Sequence, residues 1–196
     1  MLETAVTVVP VWTHIILHHT ASSKTKTVEQ LRREHLARGW RDIGYHYLVD
    51  YTGGVHAGRP PNEPGAHAQG WNSKAIGVAT IGDISEYPMG EDQRGALVQL
   101  VRHLMDEHGI PAANVLYHRD VGATSCPGRF FPDIKAAVGA PFKDVPPDHW
   151  AAAAVESASE AGLLGGYPDG TFRGDEPVTR YELAAFAAKL WERVKG

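Results

Sequence analysis

Between residues 13 and 120 this chain alternates short β-rich runs with amphipathic helical stretches, and that order restricts its fold more than any other feature. "THIILHHT" (13–20) is a short apolar run ending in polar residues, the pattern of a buried strand. In "TVEQLRREHLARG", Thr27 and Gln30 form a capping box, Val28, Leu31, His35 and Leu36 mark one helical face, and Gly39 stops the helix. "IGYHYLVDY" (43–51) alternates as a strand does and runs into the turn residues Thr52-Gly53-Gly54. "AIGVATIGD" (75–83) is a further strand. Leu97, Leu100, Val101, Leu104 and His108 then fall at helical spacing before Gly109 and Pro111. "NVLYHRD" (114–120) is the last strand. Strands interleaved with helices predict an α/β layered domain, a central mixed β-sheet flanked by helices. In open α/β sheets the ligand cleft lies beyond the carboxyl ends of the strands, where His18 and His118 both fall.

Composition changes at 139–147, "GAPFKDVPP", a Pro-rich connector. Beyond it, "DHWAAAAVESASEAG" and "PVTRYELAAFAAKLWERV" read as two helices joined by "LLGGYPDGTFRGDE", with Pro177 suited to a first helical turn. The expected organisation is a domain at 1–139 and a small all-α helix–loop–helix domain at 140–196, near the lower size for independent folding. A hydrophobic fraction of 43% supports a real core, and a net charge of -4 without a Lys/Arg cluster argues against nucleic acid as a partner. "MLETAVTVVPVWTHIILHHT" has no basic start, and Pro10 and His14 interrupt its apolar run. It reads as neither a signal peptide nor a membrane span, so the chain reads as made in the cytoplasm without a visible leader.

The chain has one cysteine, in "HRDVGATSCPG" (118–128), so no internal disulfide is available. Cys126 is then an inert core thiol, a nucleophile paired with a histidine, or a metal ligand. A catalytic zinc takes three protein ligands and leaves a fourth position for water. His118 and Cys126, eight residues apart across a turn with Gly122, have the reach to share one ion, and the 18–20 strand end could supply a third donor. No H-E-x-x-H motif is present. As a thiol nucleophile, Cys126 ahead of Pro127 would gain from a helix N-terminus. Of the eleven histidines, His35, His103 and His108 read as surface or boundary positions on helices, and His19 should face away from His18. The Gly/Pro-rich loop at 58–74 has the length of a functional loop.

Four segments in order, "IILHHTA", "GWRDIGYHYLVD", "GAHAQGWNSKAIGVATIGD" and "HRDVGATSCPG", resemble the zinc-dependent N-acetylmuramoyl-L-alanine amidases of the type-2 family, which spans phage endolysins and peptidoglycan recognition proteins. The likeness covers roughly residues 10–138. It implies one Zn2+ per chain held by His18, His118 and Cys126. Tyr45 would face the reacting carbonyl, and Thr124 would stand where some phage members carry lysine. The implied reaction is hydrolysis of the amide joining N-acetylmuramic acid to L-alanine, with zinc-activated water as nucleophile. His67 and Trp71, on the long loop, are expected to line the sugar or peptide groove, with a packing role as the alternative for Trp71. Binders on this scaffold usually lack the cysteine, so its presence favours an enzyme over a non-catalytic recognition or anchoring protein.

The tail stretches "FKDVPPDHWAAAAV" and "GYPDGTFRGDEPVTRYELA" resemble an S-layer homology domain, a module that binds cell-wall polymers. Arg180 and Trp150 are the expected polymer contacts, against the alternative that Trp150 packs between the helices and Glu182 serves as a cap. A lone copy suggests self-association through the tail, weak binding, or a structural role. The combined expectation is a bacteriolytic enzyme acting on the cell wall with bacterial peptidoglycan as its partner, in the manner of a phage or prophage endolysin.

Overall fold

The computed structural model describes residues 10–139, 142–146, 148–167 and 170–195. Residues 1–9, where the stretch read for a leader begins, and Ala140, Pro141 and Pro147 of the connector lie outside them. The chain divides into two compact units between Lys135 and Ala136.

The first unit is built on a mixed five-stranded sheet: β1 (His14–His19), β2 (Tyr47–Val49), β3 (Val55–Ala57), β4 (Ala75–Thr80) and β5 (Val115–Tyr117), in the order β3-β2-β4-β1-β5. All neighbours are parallel except the edge pair β2–β3. Parallel strands are covered on both faces, which is why β4 is buried at every position and β1 at all but His14. α1 (Val28–Ala37) starts on the Thr27/Gln30 capping box and stops before Gly39 at φ +81°. Leu31 carries it onto the sheet with Ile43, Leu48 and Ile81. Contrary to the helical-face reading, Leu36 is exposed; His35, read as a surface or boundary position, is buried, and its Nδ1 accepts the Gly44 N–H at 3.0 Å. α2 (Glu91–His108) buries Leu97, Leu100, Val101 and Leu104 and ends on Gly109 in the left-handed region. Its buried Gln93 donates Nε2–H to the carbonyls of Val49 and Ile81, tying the helix to two strand ends.

Two departures from the strand reading matter for the site. The stretch 43–46 is not strand, because its backbone bonds go mostly to the long loop. Arg59 N–H donates to Tyr45 O, Gly58 N–H to His46 O, and Ala66 N–H to Gly44 O. The Arg59 side chain, itself buried, adds bonds to the carbonyls of Ile43, Pro64 and Asp42 at 3.0, 2.9 and 3.2 Å. The second departure is β3, a short edge strand after the 50–54 turn, which Asp50 holds by accepting from Thr52 N–H, Thr52 Oγ1–H and Gly54 N–H.

After β5 come the single-turn α3 (His118–Val121) and α4 (Ile134–Gly139). The second unit contains α5 (Ala152–Glu160) and α6 (Arg180–Lys195) with a long connection between them. Phe142, Val145 and Val155 form its small core, with Phe172 against it. Asp144 fastens the connection by accepting both Phe172 N–H and Arg173 N–H at 2.7 Å. Thr179 and Glu182 make a reciprocal capping box at the start of α6, so Pro177 lies before the cap rather than in the first turn. Among the described residues no helix is long and apolar enough to cross a membrane.

Candidate metal centre

The sheet register builds the site. β1 pairs with β5 so that Leu17 lies beside Tyr117, and the next residues, His18 near the end of β1 and His118 just past β5, stand together with ring centroids 4.5 Å apart. Cys126 returns to them through a tight loop. Arg119 N–H donates to Cys126 O, Thr124 N–H to Gly122 O, and Cys126 N–H to Thr124 Oγ1 at 3.2 Å. The loop lies so close to Ile84 that a side chain at Gly128, where φ is +103°, would come within 2.7 Å of its carbonyl carbon. Cys126 Sγ ends 3.7 Å from His18 Nδ1, and the donor atoms of His18, His118 and Cys126 all lie within 4.8 Å of one another.

This donor set fits a tetrahedral ion. Zn–N and Zn–S bonds of about 2.0–2.3 Å put tetrahedral ligand atoms about 3.3–3.8 Å apart, so a small closure suffices. Burial, and then the neighbouring histidines, hold His18 well below the ordinary histidine range, and burial lowers His118. Both are therefore neutral imidazoles with lone pairs to give. Burial pushes the Cys126 thiol up to about 11, the reverse of an activated nucleophile, and Cys126 sits in a turn rather than at a helix N-terminus. A dication held between these groups would reverse that shift and make the thiolate the stable form.

Tyr45 is half-buried against the site, its ring 5.2 Å from His18. Burial, and then the Cys126 thiol, raise its hydroxyl above the ordinary tyrosine range, so it remains a proton donor. Among the described residues that hydroxyl has no hydrogen-bond partner. Thr124 is exposed, and its oxygen accepts from Cys126 N–H, which leaves its own O–H to donate elsewhere. His19 points to the other face of the sheet, where its Nδ1 accepts Ile84 N–H and lies 3.6 Å from Asp83.

The two loop residues take different places. His67 is turned inward: its Nδ1 is 3.0 Å from His18 Nε2 and its Nε2 is 3.1 Å from Ala75 O. Burial, and then His46, hold His67 down at about 3, so it too is neutral. Trp71 lies on the His18 face of β1 but at the strand's other end, edge-on to His14 and beneath Lys74. In the second unit Trp150 is 91% exposed and does not pack between the helices, and Arg180 opens α6 in solvent. The contacts from His67 to His18 and from Arg59 to the Tyr45 stretch had no sequence signal of their own. Gly65 and Gly77, which leave the space for the His67 ring, were the available hint.

A largely parallel sheet with two histidines and a cysteine gathered at its carboxyl edge defines an α/β domain whose three donors are placed to hold a metal ion. The chain belongs to the N-acetylmuramoyl-L-alanine amidase family (Amidase_2), whose model matches residues 9–129. An S-layer homology domain is found at 141–184. Peptidoglycan-recognition protein SC2 of Drosophila simulans is 37% identical over 124 residues, 59% of this chain and 67% of that protein. The endolysin of Klebsiella phage KP32 is 33% identical over 118 residues, 58% of this chain and 78% of the endolysin. Among solved structures, the N-acetylmuramoyl-L-alanine amidase LysC from Clostridium intestinale URNW superposes with a TM-score of 0.62 at 36% identity, covering 65% of this chain and 85% of that one.

Proposed function

We propose that this chain is a zinc-dependent hydrolase that cleaves the amide between N-acetylmuramic acid and L-alanine in bacterial peptidoglycan, and that it serves as an endolysin. The observation that carries this reading is the convergence of His18, His118 and Cys126, with the Tyr45 ring against His18. His18 and His118 would hold Zn2+ as neutral imidazoles and Cys126 as a thiolate. Bound there, zinc supplies a Lewis acid that lowers the pKa of a water to about 7.

The chain's own residues do the remaining work. Tyr45 keeps its phenolic proton at every working pH and offers it to the oxygen of the scissile carbonyl as charge develops there. Thr124 offers a second, neutral O–H while its oxygen secures the Cys126 turn. Buried His18 and half-buried His118 keep the floor of the cleft free of competing positive charge. The C-terminal unit is read as the anchor to a wall polymer, with Trp150 and Arg180 as exposed contacts.

Digestion of purified peptidoglycan with and without chelator, scored for new N-terminal alanine and for new reducing ends, tests this. Chelator-sensitive alanine termini without reducing ends, restored by zinc, are expected. Binding to peptidoglycan with no new termini would instead establish a recognition protein on the same scaffold.

A further inference from the structure

We infer that His67 is a positioning residue for the metal centre: it accepts the His18 Nε2–H through its own Nδ1, and so presents the His18 Nδ1 lone pair to the ion. This inference rests on the proposed metal site. Ala75 O, 3.1 Å from His67 Nε2, can only accept, so a neutral His67 carries its proton on Nε2. His67 Nδ1 is then an acceptor, and its partner at 3.0 Å, His18 Nε2, must donate. That leaves the unprotonated nitrogen of His18 at Nδ1, the atom 3.7 Å from Cys126 Sγ. A backbone carbonyl of β4 thus sets, through two rings, which His18 nitrogen faces the metal.

The slot that holds His67 is purpose-shaped by small residues. A Cβ at Gly77 would come within 2.5 Å of both His67 Cγ and Cδ2, and a side chain at Gly65 would strike the same ring. Asn72 Oδ1 accepts the N–H groups of both His67 and Ala68, fixing the backbone that carries the ring. The adjacent ring, His46, is locked the same way: Gly77 N–H donates to its Nδ1 and its Nε2–H donates to Glu63 O. His67 therefore has one ring orientation available, and His18 inherits it.

Three forms of the full chain test this: wild type, His67→Leu and His67→Asn. Leucine fills the slot without an acceptor, whereas asparagine places Oδ1 where Nδ1 stands and restores one. Zinc affinity by competition with a chromophoric chelator is expected to fall about 10–100-fold in H67L, with most of the loss recovered in H67N. Nitrogen-15 imidazole spectra of the metal-free chain are expected to show His18 as the Nε2–H tautomer in wild type and H67N, and as a mixture in H67L. Equal losses in both variants, or wild-type affinity and tautomer in H67L, would overturn the inference. If H67L does not fold, the wild-type spectrum decides alone: His18 found as the Nδ1–H form refutes it. A wild-type chain that binds no zinc refutes the metal-centre reading itself, at the first titration and before any variant is compared.

Discussion

Replacing Tyr45 by phenylalanine removes one oxygen and little else. The ring packs against the cluster of Leu31, Ile43, Leu48 and Ile81 and lies beside His18, and phenylalanine keeps those contacts. The lost hydroxyl has no partner among the described residues, so the folded state should be no less stable, and no ligand of the ion is disturbed. The loss falls on the charge that develops at the scissile carbonyl. Removing one such donor costs about 3 kcal/mol. At 1.36 kcal/mol per tenfold, that is a fall of roughly 150-fold in kcat, with KM little changed. Initial rates of alanine-terminus release from a soluble muropeptide, beside zinc content per chain and Tm, separate the possibilities. A Tyr45→Phe chain that keeps more than about a third of the wild-type rate would show that the phenol does not carry this charge. A parallel loss of zinc would also deny it that role, since that would make Tyr45 part of the metal's support.

Other outcomes follow from the same structure. Burial pushes the Asp50 carboxyl up, but hydrogen bonds from His56, Thr52 and Gly54 outweigh it and bring it down to about 2, against 3.8 when unfolded. Its stabilisation is therefore full above pH 3.8 and lost as pH falls toward 2. Asp50→Asn should cost about 1–2 kcal/mol in urea unfolding at pH 6 and only a few tenths of a kcal/mol at pH 2. Asp144→Ala removes the acceptor of two backbone N–H groups and should cost about 1–2 kcal/mol, read as faster amide exchange at Phe172 and Arg173 with the β4 amides unchanged. Trp150→Ala should weaken sedimentation of the chain with intact cell walls several-fold while leaving muropeptide cleavage untouched; loss of both would deny Trp150 a separate anchoring role. α6 leaves Leu183, Leu190, Trp191 and Val194 exposed, so light scattering should show mass rising with concentration, and a constant monomer mass would exclude self-association through this unit.

Local chemistry made much of the fold readable. The Thr27/Gln30 box and Gly109 set helix ends because caps act over three or four residues, and the Leu97–Leu104 stripe is a helical face regardless of what it meets. His18 and His118 were legible as strand-end neighbours because parallel strands place successive carboxyl ends along one edge. His67 was legible as a loop histidine but not as a partner of His18, since their bond spans 49 residues and is enabled by space left at Gly65 and Gly77. The strand at 43–51 was overextended for a related reason: alternation survives in 43–46, but its hydrogen bonds are made to a loop. His35 reads as a surface or boundary position because its helix carries no sign of the Gly44 N–H that its buried ring accepts.

The Arg59 clamp has a consequence for how the cleft responds to its surroundings. A guanidinium remains cationic under any condition in which this protein is folded, and here it bonds to main-chain oxygens, which do not titrate. The stretch carrying Tyr45 is thus fastened to the long loop by a joint with no protonation state to change. Acidification acts on the metal-site donors and on His35 and His46, whose Nδ1 atoms accept Gly44 N–H and Gly77 N–H, while the bonds from Arg59 to the Tyr45 stretch persist throughout.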